Sequence, residues 1–146
     1  MVKDHEEHVV SILASLLRNL IEEDVYAAMK GRLLTKFVEN DHEKVDRLVE
    51  LHCSYFTSAM EMEKVLRNEA VGWEGTEEEV EEEMYLKRLE AGLFTLQQLD
   101  YIIIEICEQG ASSIKPRVVK GLRLRGEKFS DVKDIAEKGQ LAAVNS

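Results

Sequence analysis

The sequence predicts an all-α domain of about six or seven helices, and three observations predict it. Apolar residues recur at three- and four-residue spacing along most of the chain instead of alternating. Eight glycines and one proline, Pro116, are too few turn residues for a hairpin-rich β domain of 146 residues. With 45% apolar residues, the chain can bury one core, so residues 1–146 read as a single helical domain.

Residues 4–21 form the first helix, with Val9, Ile12, Leu13, Leu16, Leu17 and Leu20 on one stripe. Left uncovered, that stripe promotes self-association, so a homo-oligomer is expected unless the second helix folds across it. The second helix spans residues 25–38, with Gly31 in its middle and Tyr26, Met29, Leu33, Leu34 and Phe37 on its apolar side. Asn40, followed three positions on by Glu43, predicts a capped start for a long helix. Its stripe reads Val45, Leu48, Val49, His52, Tyr55, Phe56, Ala59 and Met62.

Gly72, Trp73 and Gly75 mark residues 68–76 as a flexible acidic loop. Thr76 with Glu79 repeats the capping pattern, and the carboxylates that follow lie at the positive end of the next helix dipole. That helix runs to about Gly110, with a bend or break at Gly92. Residues 101–107 are apolar almost all round; they read as helix because a longer helical pattern contains them, and as the innermost element. Two shorter helices follow over residues 113–125 and 130–141, and residues 142–146 are expected to be a disordered end.

Formal net charge is −10, which disfavours nucleic acid as a partner. The charge is uneven: residues 1–110 carry 11 basic and 25 acidic side chains, net −14, whereas residues 111–146 carry 8 and 4, net +4. The acidic residues Glu39, Asp41, Glu43, Asp46 and Glu50 are candidates for contacting a basic segment, with Trp73 as an anchor. Lys115, Arg117, Lys120, Arg123, Arg125 and Lys128 form a basic end whose alternative use is a weak, nonspecific nucleic-acid contact.

Parts for catalysis are not apparent. His5 and His8 miss the zinc-protease spacing, because Val9 stands where the second histidine belongs, so no metal or cofactor is expected. His52 beside Cys53 lies on a core stripe with nothing to build an oxyanion hole, and residues 110–115 lack a phosphate-loop spacing. An enzyme is therefore not expected. Cys53 and Cys107 read as reduced, buried thiols. No apolar run reaches membrane-spanning length and the N-terminus lacks a secretion signal, so an intracellular protein with no membrane contact is expected.

Three ungapped blocks, EEHVVSILASLL at 6–17, LTKFVENDHEKVDRL at 34–48 and YLKRLEAGLFTLQ at 85–97, followed by LRG at 124–126, resemble the C-terminal region of the beta-catenin-like protein 1 family. The resemblance covers residues 6–126 and implies an armadillo/HEAT-type helical-repeat segment in the nucleus. It also implies a non-catalytic scaffold of the spliceosome, whose partners are splicing-factor proteins of the nineteen complex and basic, nuclear-localisation-like peptides. Residues 21–30 and 60–75 depart from the family pattern, and no individual peptide-binding residue carries over.

Overall fold

The computed structural model describes residues 2–19, 24–69 and 72–145, and among them every regular element is helical. In order these are α1 (Val2–Asn19), α2 (Asp24–Thr35), a 3₁₀ turn (Lys36–Val38), α3 (Glu39–Glu69), α4 (Glu77–Glu90), α5 (Leu93–Gln109), α6 (Ile114–Leu124) and α7 (Phe129–Asn145). The expected helical series is present, and residues 101–107 are helix within α5.

α5 is the hub. Leu96, Leu99, Tyr101, Ile102, Ile103 and Ile106 are all buried, because α5 packs against α7, α1, α3, α4 and α6 and therefore needs apolar residues around most of its circumference. α7 lies closest. A Cβ at Gly139 would stand 2.8 Å from the Gln97 Cβ, so glycine is what permits the close approach of α7 to α5. α6 presents Ile114, Val118 and Leu122 to the same core, one residue per turn at four-residue spacing.

The break expected at Gly92 occurs. Gly92 has φ +100°, and a Cβ there would lie 2.8 Å from the Tyr55 ring, so the turn between α4 and α5 demands glycine twice over, for backbone and for space. The α4 start is also as expected, since Thr76 Oγ1 accepts from the Glu79 N–H at 3.2 Å. α4 itself buries no residue.

Four local expectations are corrected. α1 buries Val10, Ala14 and Leu17 and half-buries Leu13, whereas Val9, Ile12 and Leu16 face outward; Leu20 lies outside the described residues. The segment after α2 tightens to a 3₁₀ turn at Lys36, which points Phe37 into the core. Asn40 does not open a capping box: Asn40, Asp41 and His42 have φ of 53°, 55° and 62°, a left-handed turn from which right-handed helix resumes at Glu43. Left-handed backbone costs about 1–2 kcal/mol per residue, least for Asn and Asp. Finally, α3 continues through Asn68 and Glu69 and α7 through Asn145, so helix replaces part of the expected loop at 68–76 and of the expected disordered end at 142–146.

Candidate functional site

The acidic and basic candidates, 71 residues apart in sequence at their closest pairing, meet where α6 lies against α3. Arg117 donates twice to Asp46, Nε to Oδ1 at 2.9 Å and Nη2 to Oδ2 at 2.7 Å, a bidentate fork. Its Nη1 stands 3.7 Å from Asp41. One turn further along α3 and just past the end of α6, Arg125 approaches Glu50 at 3.7 Å. Glu50 is shared, because Arg47 donates to it at 2.9 Å. Glu39 pairs with Lys36 at 3.4 Å.

The left-handed turn helps build this surface. It carries His42 to Ser113, Nε2 to Oγ at 2.9 Å, which ties the beginning of α3 to the beginning of α6. Asp41 is left 88% exposed at the tip. A hydrogen bond from Arg117 holds the Asp46 carboxyl below the usual carboxylate range, with burial opposing. The same carboxylate raises the already high proton affinity of Arg117. Between the two helices lies a groove of about 520 Å³, with Val49, Gly121 and Leu124 among its apolar walls and Asp46, Glu50, Arg117, Lys120 and Arg125 as its charges.

The other basic-end residues separate. Lys115 sits over the Phe129 ring at 5.3 Å. Lys120, Arg123 and Lys128 are exposed, and Glu43 is exposed on the acidic side.

Trp73 belongs to a second surface. It is half-buried beside Glu74, Glu79, Val80 and Glu83, in a shallow hollow at the start of α4. The Lys87 ammonium lies 5.2 Å from the centre of its ring and 3.2 Å from Glu69. Glu77, Glu78, Glu79, Glu81, Glu82 and Glu83 are all exposed along this helix.

Sequence reasoning missed two sets of contacts. Glu6 pairs with Arg47 and Glu7 accepts from the Tyr55 hydroxyl at 2.8 Å, so the acidic start of α1 fastens it to α3. His52 and Asp100, both fully buried, meet at 2.5 Å between α3 and α5. The available signal was an aspartate standing alone in an apolar run. Cys53, next to His52, has its thiol pushed up by burial, and burial pushes Cys107 up to about 11, so neither is an activated nucleophile. Among the described residues no three His, Cys, Asp or Glu side chains converge as a metal site. Nor is any described helix long and apolar enough to cross a membrane.

A helical platform with charged faces and a hub helix at its centre defines a protein of the helical-repeat class. The family model described as catenin-beta-like, Arm-motif containing nuclear matches residues 1–137. Beta-catenin-like protein 1 of Homo sapiens is 45% identical over 140 residues, and that of Bos taurus 44%, each alignment covering 93% of this chain and 24% of the relative. The Schizosaccharomyces pombe homolog is 30% identical over 112 residues, 77% of this chain and 19% of the relative. The chain belongs to the beta-catenin-like, Arm-motif containing nuclear family. It spans about a quarter of the length of these Homo sapiens and Bos taurus relatives.

Proposed function

We propose that this chain is a non-catalytic docking segment of a nuclear scaffold that works with the pre-mRNA splicing machinery, and that it receives Lys/Arg-rich, nuclear-localisation-like segments of splicing factors of the nineteen complex. The observation that carries this reading is the surface around Trp73. There the half-buried Trp73 ring lies beside a run of exposed glutamates of α4, Glu77 to Glu83, whose field attracts a basic segment, while Lys87 of the same chain shows that the ring accepts an ammonium and must yield for a partner's lysine to take its place. The exposed Glu39, Asp41 and Glu43 form a separate acidic patch at the opposite end of α3. Asp46 and Glu50 contribute less, because Arg117 and Arg125 occupy them.

The test is titration of the intact chain with a Lys/Arg-rich peptide, read by the fluorescence of Trp73, the single tryptophan of the sequence. Binding at low salt that weakens steeply as salt rises, and that falls in a Trp73→Ala variant followed by anisotropy of a labelled peptide, supports the reading. Absence of binding at low salt refutes it. The alternative, a nucleic-acid contact by the basic end, is disfavoured by the ion pairs of Arg117 and Arg125; a gel shift with single-stranded RNA that disappears in a Lys120→Glu/Arg123→Glu variant would favour it instead.

A further inference from the structure

The joint between α3 and α5 holds an ionisable pair that is shielded from solvent on both sides. His52 Nδ1 and Asp100 Oδ1 are 2.5 Å apart, and both side chains have 0% exposure. Each residue also has a second buried polar atom, His52 Nε2 and Asp100 Oδ2, with no hydrogen-bond partner among the described residues. Phe56 stacks on the imidazole, ring centres 5.4 Å apart and planes 21° from parallel.

Counting protons decides the charge. A neutral imidazole donating Nδ1–H to an ionised carboxylate places a net −1 in an apolar core. One further proton, carried on Nε2, makes the pair neutral overall, with the other proton shared between Nδ1 and Oδ1. An uncompensated buried charge is the costliest arrangement, more so than an unpaired N–H. We propose that His52 and Asp100 form a proton-linked joint between α3 and α5, held by the folded chain in its net-neutral form with Nε2 protonated and loosened when that proton leaves.

The surroundings act in the same direction. Burial pushes the Asp100 carboxyl up to about 6, the His52 N–H opposes this, and Asp131 on α7 adds to the rise. On α3 the neighbouring Cys53 thiol is pushed up by burial and by Glu127, with Arg125 at the α6–α7 turn opposing. On α1, Arg18 lies over the ring of Tyr101, the residue after Asp100, at 4.7 Å, and Ser11 meets Gln98. The pair titrates as a unit. Because the net −1 form is the one that burial disfavours, the pair holds its proton more tightly in the folded chain than in the unfolded one, so its stabilisation is present at the lower pH and is lost as pH rises through the folded value.

The experiment uses the intact, ¹⁵N-labelled chain, and measures the proton on His52 Nε2 between pH 6 and 8.5. Alongside it, urea unfolding compares the wild type with a His52→Leu/Asp100→Leu variant over the same range. The expected result is an Nε2–H that persists to higher pH in the folded chain than in the same chain unfolded in urea, with a folding equilibrium constant that falls, relative to the variant, by up to about tenfold per pH unit. An Nε2 that is bare throughout this range in the folded chain, or that loses its proton at the same pH as in the unfolded chain or below it, overturns the proposal. That result needs only the wild type, so it decides the matter even if the variant does not fold. Parallel pH profiles for the two chains overturn it as well.

Discussion

Replacing Ile103 by alanine tests whether α5 is the hub. Ile103 is completely buried in the middle of that helix. The substitution removes three carbon groups, and at about 0.8 kcal/mol for each the lost transfer energy is about 2.4 kcal/mol. If the surrounding helices do not collapse, a cavity of about 75 Å³ adds about 1.8 kcal/mol at 24 cal/mol per Å³. Alanine recovers about 0.4 kcal/mol as the better helix former. The expected loss is therefore about 2–4 kcal/mol, the lower end applying where neighbours move into the space. Urea unfolding followed by far-ultraviolet circular dichroism measures it, with Leu124→Ala as a control because Leu124 is 77% exposed. A loss below about 1 kcal/mol for Ile103→Ala would refute the placement of the core, as would an equal loss for the control.

Gly92→Ala is expected to destabilise by about 1–3 kcal/mol through the left-handed backbone, with the 2.8 Å approach to the Tyr55 ring adding to it; a neutral effect on the urea midpoint would contradict the α4–α5 turn. Hydrogen bonds from Arg117 and Arg88 hold Asp46 and Glu63 below the carboxylate range, so the stability they confer is present above the unfolded value of about 4 and is lost as pH falls through the folded values. An Arg117→Met chain should accordingly lose less stability on acidification than the wild type, and an unchanged acid limb in midpoint-versus-pH curves would count against the pairing. The outward-facing Val9, Ile12 and Leu16 should make the chain self-associate at high concentration. Light scattering that shows a strict monomer, or no shift toward monomer in Ile12→Glu/Leu16→Glu, would contradict this.

Much of the fold was legible because helical signals are local. The Gly92 break, the Thr76 cap and the helical state of residues 101–107 each follow from a short pattern that tertiary structure reinforces. The face of α1 was less legible, since Val9 and Val10 are equally apolar and only packing against α5 decides that Val10 turns inward. The Asn40 start failed for a related reason: the capping pattern is local, but His42 is drawn to Ser113, far along the chain. The acidic candidates fall on α3 and most of the basic ones on or beside α6, yet a sequence divided into a net −14 and a net +4 part does not reveal that Asp46 and Arg117 grip each other. Asp100 was hidden for the same reason, because its partner lies 48 positions earlier.

α4 contributes no fully enclosed side chain, and it is fenced by Gly75 before it and Gly92 after it. Detaching it therefore uncovers little oil-like surface and breaks the Arg88–Glu63 and Lys87–Glu69 bridges, both within reach of water. Deuterium should enter its amides well before those of α5, and a partner that clasps Trp73 would announce itself by slowing that uptake in α4 alone.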